Sequence, residues 1–122
     1  IYPAIDGARP ATTSRTVMRR VVRGAIGFGG LVMTDDLSMK ALSGGFRERA
    51  EHARTAGCDV VLHCNGDMAE MKAVVEGAGG LAGKALRRAA AALARLPKAV
   101  EPFDAAEGRA RFDAAFEGRW AA

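Results

Sequence analysis

The chain has 122 residues, 49% of them hydrophobic and 26% charged, which suits one modest domain with a small core. No apolar run approaches the roughly 20 residues that a membrane helix needs, so no membrane partner is expected. The net charge of +4 comes from 18 basic and 14 acidic residues. Nucleic-acid binding would need a concentrated basic face interleaved with aromatic residues, whereas here the arginines are spread along the chain.

In chain order, residues 1–5 read as a short first strand. Thr13 or Ser14 is placed to cap a helix whose apolar face is Val17, Val21 and Ala25, with Met18, Val22 and Ile26 beside it at helical spacing. Arg15, Arg19, Arg20 and Arg23 fall on its polar side, and Arg47, Arg49, Arg54, Arg87 and Arg88 are scattered. That pattern predicts a solvated arginine-rich surface. Gly27, Gly29 and Gly30 end the helix, and Leu31 to Thr34 form a second strand. A loop with Ser43, Gly44 and Gly45 leads into a helix from Phe46 to Ala56, closed by Gly57, and Asp59 to His63 make a third strand.

Asn65-Gly66-Asp67 is a turn and cap before a helix carrying Met68, Met71, Val74 and Val75. Gly77, Gly79, Gly80 and Gly83 read as a break between helices. They do not follow a strand and so make no dinucleotide fingerprint. An alanine-rich helix then runs from about Lys84 to Leu96 and stops at Pro97. In the tail, Phe112, Phe116 and Trp120 recur every four residues as one helical stripe, expected to pack on the body. This alternation of strand and helix implies an α/β fold with a parallel sheet wrapped by helices.

The chemistry-bearing candidates are few. Asp35 and Asp36 stand where the second strand should end, the position at which α/β folds place reactive carboxylates and also a common place for a turn former or helix cap. Spacing alone leaves both roles open. Asp6 follows the first strand beside Gly7 and is read as a turn residue, and Asn65 as a cap. His63 lies in an apolar run and is expected to be a hydrogen-bonded structural histidine. Cys58 and Cys64 are separated by five residues and read as reduced, buried small side chains rather than a staple. His63 and Cys64 would point to opposite faces of a strand, so no metal site is expected.

The run Ile26-Gly27-Phe28-Gly29-Gly30-Leu31-Val32-Met33-Thr34-Asp35-Asp36-Leu37-Ser38-Met39 closely resembles the nucleophile segment of bacterial β-N-acetylhexosaminidases of glycoside hydrolase family 3. Ile1-Tyr2-Pro3-Ala4-Ile5-Asp6, followed by Arg9-Pro10-Ala11-Thr12, is similar to the segment that precedes it in those enzymes. The resemblance covers residues 1–66 well and the helical remainder loosely. It implies that Asp35 is the catalytic nucleophile, attacking the anomeric carbon of a terminal β-linked N-acetylglucosamine, with Asp36 in support. A carboxylate is ionised at neutral pH and forms a glycosyl ester that water hydrolyses, giving retention without metal or organic cofactor. Met39 and Leu37, just past the nucleophile, are placed either to line the apolar wall of a sugar subsite or to join the core. The implied substrates are N-acetylglucosamine-containing cell-wall saccharides met in the cytoplasm during peptidoglycan recycling.

The same resemblance implies a TIM-type (β/α)₈ barrel, of which about three βα units, the sixth to eighth, would be present. Residues 1–97 would form this C-terminal part, and residues 98–122 a tail with a short amphipathic helix. A full barrel takes about 250 residues, and the chain opens at Ile1 without a methionine, so it reads as the C-terminal portion of a larger enzyme. In this subfamily the general acid is an Asp-His pair on an upstream loop, yet no Lys-His-Phe-Pro-Gly or Asp-Ser-His segment occurs. Both histidines, His52 and His63, follow Asp35. Two rival readings stand beside this one. A truncated barrel segment would be non-catalytic, with open strand edges inviting self-association or docking on the missing N-terminal half. A phosphoacceptor-type doubly wound module would need an acidic pair after the first strand and a late lysine, and neither is found.

Overall fold

The computed structural model describes residues 1–97, 99 and 102–116. The secondary structure comprises a 3₁₀ turn at Ala11–Thr13, a π-helix at Val17–Ala25, strand β1 at Met33–Asp36, helix α1 at Phe46–Ala56, strand β2 at Val60–Leu62, and helices α2 at Met68–Ala78, α3 at Gly83–Leu93 and α4 at Ala105–Phe116. β1 and β2 pair in parallel with α1 between them in sequence, so the α/β reading holds.

Two strands form among the described residues rather than three. Residues 1–5 turn back on themselves: the Tyr2 carbonyl accepts the amides of both Ile5 and Asp6, each at 2.9 Å. A strand is stabilised by a neighbouring ladder, and the only pairing that this segment makes within the described residues is the local bridge between Tyr2 and Asp6. The second strand also starts two residues later than expected, so the aspartate pair lies inside β1 rather than after it.

The register explains how β1 ends. Met33 pairs with Val60 and Asp36 with Leu62, leaving one extra residue on β1, a bulge. The Thr34 hydroxyl fills the gap in the ladder by accepting the Leu62 amide at 2.9 Å, and the Leu37 amide donates to the Leu62 carbonyl at 2.9 Å. The bulge lets Thr34 turn inward, buried, while Asp35 stays exposed.

The first helix is capped by Ser14, one of the two residues expected there. Its buried hydroxyl oxygen accepts the Val17 amide at 3.1 Å and its hydrogen goes to Asp6 Oδ2 at 2.6 Å. Beyond that cap the amide of Ile26 reaches the carbonyl of Val21. Such i→i+5 bonding winds more residues into each turn than the 3.6-residue period assumes, so Val17 is buried while Ala25 and Ile26 emerge into solvent.

α1 and α2 form where expected. Gly57 closes α1 at φ 126°, a backbone setting that a side chain resists, and the Asp67 carboxylate caps α2 by accepting the amides of Ala69 and Glu70, both at 2.9 Å. Gly77 does not break a helix but sits inside α2, where a Cβ would overlap the Arg47 carbonyl and touch Ala50. The small faces of α1 and α2 therefore approach closely. Over them lies the core: Leu37, Leu42, Ala50, Ala53, Cys58 and Val74, with Met18, Val32, Phe46 and Val61 packed at its edge. In α4 the Phe112 and Phe116 rings stack at 4.7 Å and no residue is buried; Trp120, the third member of the expected stripe, lies outside the described residues. Among the described residues no helix is long and apolar enough to cross a membrane.

Candidate active site

The carboxyl end of β1 gathers the groups singled out in the sequence. Asp35 is exposed, and its Oδ1 accepts only the amide of the next residue, Asp36, at 2.8 Å. Asp36 is committed: Oδ1 accepts the Ser38 amide at 2.9 Å and Oδ2 the Ser38 hydroxyl at 2.6 Å. The Ser38 hydroxyl and amide hold the Asp36 carboxyl below the usual carboxylate range, helped by the Cys64 amide and the nearby His63 ring, against a smaller opposing effect of burial. Adjacent carboxylates thus differ in availability: one faces solvent, the other builds the turn.

Leu37 and Met39, read with two possible roles, separate cleanly. Leu37 is fully buried in the core, while Met39 is 43% exposed on the turn that follows β1. The turn is closed by the Met39 amide on the Asp36 carbonyl at 3.2 Å. Arg49 of α1 ties it down, donating Nη1 to the Leu37 carbonyl at 2.8 Å and Nε to the Gly44 carbonyl at 2.9 Å, with its guanidinium over the Phe46 ring. Of the arginines expected on a solvated surface, Arg15, Arg19, Arg20, Arg47 and Arg87 are exposed, whereas Arg49 is half-buried and bonded. Nothing in its spacing marks it, because its partners are backbone carbonyls twelve and five residues away in loops.

The same correction applies to Arg23, Arg54 and Arg88. Asp59, just before β2, is a buried carboxylate that binds Arg23 Nη2 at 2.7 Å, Arg88 Nη1 at 2.8 Å and the Val32 amide at 2.9 Å. Burial alone would raise its pKa; the Val32 amide and the two guanidinium groups outweigh that and hold it below the usual range. Arg23 also spans the Phe28 and Gly30 carbonyls, at 2.7 and 2.6 Å, and Arg54 binds those of Cys58, Asp59 and Ala78. These contacts fix the entry to both strands at the end opposite Asp35.

His63, at the exit of β2, has a side chain only 4% exposed, edge-on to the Phe46 ring at 4.9 Å. Its Nδ1 lies 3.6 Å from Asp36 Oδ1 and its Nε2 3.1 Å from Glu70 Oε2, yet neither nitrogen makes a hydrogen bond. The expected hydrogen-bonded histidine is therefore buried as read but unsatisfied. Asn65 does not cap α2, a role taken by Asp67; its side-chain amide donates to Glu70 Oε2 at 2.8 Å. Asp6 acts as a turn residue, its carboxyl held low first by the Ser14 hydroxyl and then by the Ala8 amide. Both cysteines are free; Cys58 is buried as expected, and burial pushes its thiol up to about 11, whereas Cys64, expected to be buried too, is exposed because it lies past the end of β2.

Two clefts lie away from Asp35. One of about 250 Å³ is bordered by Arg54, Val60, Val74 and Leu81. The other, of about 980 Å³, separates the Gly27–Leu31 segment from α3 and is bordered by Phe28, Lys84, Arg87 and Arg95.

The chain is 46% identical over 67 residues to a protein named beta-hexosaminidase from Tolumonas auensis, covering 53% of this chain and 20% of that one. A beta-hexosaminidase of Nitrosospira multiformis is 47% identical over 74 residues, 58% of this chain and 21% of its own length. One from Aromatoleum aromaticum is 38% identical over 105 residues, 84% of this chain and 29% of the relative. The chain thus spans between a fifth and a third of the length of these relatives. The model of the family described as Glycosyl hydrolase family 3 N terminal domain matches residues 1–96, which include both strands and the aspartate pair, and the chain belongs to that family.

Proposed function

We propose that this chain is the nucleophile-bearing part of a retaining β-N-acetylhexosaminidase, with Asp35 as the nucleophile. The observation that carries the reading is the division between the two aspartates: Asp35 is exposed at the carboxyl end of a parallel strand, while both oxygens of Asp36 are taken by Ser38. In the first step an Asp35 oxygen attacks the anomeric carbon as the glycosidic C–O bond breaks, and a general acid protonates the departing oxygen. In the second, water attacks the anomeric carbon of the glycosyl ester, releasing the sugar with retained configuration and restoring the carboxylate. Asp36 holds the turn, and Met39 offers an apolar surface beside the reacting face of the sugar. The two βα units are read as consecutive units of a (β/α)₈ barrel, and the substrates as N-acetylglucosamine-containing fragments of peptidoglycan recycled in the cytoplasm.

No Asp-His loop precedes Asp35 in this sequence, so the general acid has no counterpart here. A substrate whose leaving group departs without protonation bypasses that gap. Dinitrophenyl β-N-acetylglucosaminide is such a substrate, and intact mass followed by peptide mapping reads the product. A single glycosyl adduct on Asp35, lost in Asp35→Asn and kept in Asp36→Asn, is the expected result. An adduct on Asp36, or none on a folded sample, overturns the assignment of the nucleophile.

A further inference from the structure

We propose that His63 is a positioning residue that ties the end of β1 to the first turn of α2 through a proton. The proposal starts from an unsatisfied group. The His63 side chain is 4% exposed, both ring nitrogens lack a hydrogen bond, and each faces a different carboxylate: Nδ1 faces Asp36 Oδ1 at 3.6 Å and Nε2 faces Glu70 Oε2 at 3.1 Å. Burying such a group without partners is costly.

The two protonation states differ in what they can satisfy. A neutral imidazole carries one N–H and one lone pair, so it can donate to one carboxylate while presenting the lone pair to the other, which is repulsive. An imidazolium carries two N–H groups on opposite sides of the ring, matching the two acceptors one to one. The contacts at 3.6 and 3.1 Å need only small side-chain movements to become bonds. Phe46 packs against the ring at an interplanar angle of 62° and keeps it between the carboxylates.

Among the described residues, the charged groups paired with the ring come from two elements. β1 supplies Asp36 and α2 supplies Glu70; α1 supplies the uncharged Phe46, over whose ring Arg49 lies at 5.1 Å from the centroid. Both carboxylates are already anchored on their own elements, Asp36 by Ser38 and Glu70 by Asn65. A protonated His63 therefore joins two prebuilt turns rather than gathering loose side chains. Asp36 precedes the turn that its carbonyl closes with Met39 and follows Asp35 directly, so the proton on His63 sets how firmly the backbone carrying Asp35 is held. That last consequence rests on the nucleophile reading; the proton link itself does not.

The test is a pH titration of the intact chain by NMR between about pH 5 and pH 8, following both imidazole rings and the amides of Leu37, Ser38 and Glu70. His52, exposed on α1, is the internal reference. The expected result is that these three amides shift with the midpoint of the His63 ring, and that the shifts are lost in His63→Gln while those around His52 persist. If the amides stay still while His63 titrates, if His63 does not titrate in this range, or if the amide shifts survive in His63→Gln, the proposal falls. A functional arm separates the two readings: the rate of adduct formation on Asp35 should lose a pH limb in His63→Gln. Absence of any adduct removes the nucleophile reading and leaves the titration to decide the role of His63.

Discussion

Replacing Asp59 with asparagine tests whether a buried ion cluster holds the strand entries together. The carboxylate is 5% exposed and accepts from Arg23, Arg88 and the Val32 amide, whereas the arginines keep 18% and 26% of their side-chain surface in water. Removing one partner of a buried pair costs about 3–5 kcal/mol, and the partial solvation of both guanidinium groups puts this site at the lower end. Asparagine retains one acceptor oxygen, returning about 1 kcal/mol, so the net loss is about 2 kcal/mol. With a urea m-value of about 1.5 kcal/mol/M, the unfolding midpoint should fall by about 1.3 M. The carboxyl has a folded pKa below its ordinary 3.8. Its contribution is therefore complete above that value and is lost as pH falls through the folded value. The difference between wild type and Asp59→Asn should accordingly shrink once the pH drops below about 4. Urea unfolding followed by circular dichroism at neutral and acid pH measures both. A midpoint change under about 0.3 M at neutral pH, or a difference that grows in acid, refutes the reasoning.

Two further outcomes follow from packing. Gly77→Ala should destabilise by about 1–2 kcal/mol, because the new methyl meets the Arg47 carbonyl and the clash outweighs the gain in helix propensity. Gly80→Ala, where nothing lies within 4 Å, should change little; equal midpoint shifts in urea for the two variants would contradict a close α1–α2 approach. With Ellman's reagent, exposed Cys64 should react promptly and Cys58, buried with its thiol pushed up to about 11, only on unfolding. Two equal fast phases in native buffer would show that the core around Cys58 is open.

Local signals in the sequence were legible where the physics is local. Gly57 and Asp67 bound α1 and α2 as their residue types require, and the parallel pairing of β1 with β2 follows from the intervening helix. The first strand was misread because residues 1–5 have a strand-like composition but no ladder partner beyond the local Tyr2–Asp6 bridge among the described residues. The helix from Val17 kept its place but not its phase, since a 3.6-residue template cannot anticipate i→i+5 bonding. Gly77 was taken for a break because its reason lies on another helix. At the site, Ser38 was readable in principle: a serine two residues after an aspartate is a turn signature, and it sets Asp36 apart from Asp35.

The arginines carry the larger lesson. Their scatter along the chain predicts solvated charge, yet Arg23, Arg49, Arg54 and Arg88 each donate to backbone carbonyls of loops. The core is small and built largely from alanine, cysteine and a few larger aliphatic residues. One planar guanidinium fork can satisfy two or three carbonyls at once, so these contacts add to the burial of Leu37, Leu42 and Cys58 in fixing the loops. The arrangement assigns the two strand ends different means of support. Arg23, Arg54 and Arg88 converge on the strand entries around Asp59, while Arg49, Ser38 and His63 converge on the exit around Asp36. Among the described residues, the Asp35 carboxylate accepts the adjoining Asp36 amide and takes part in neither set of arginine contacts.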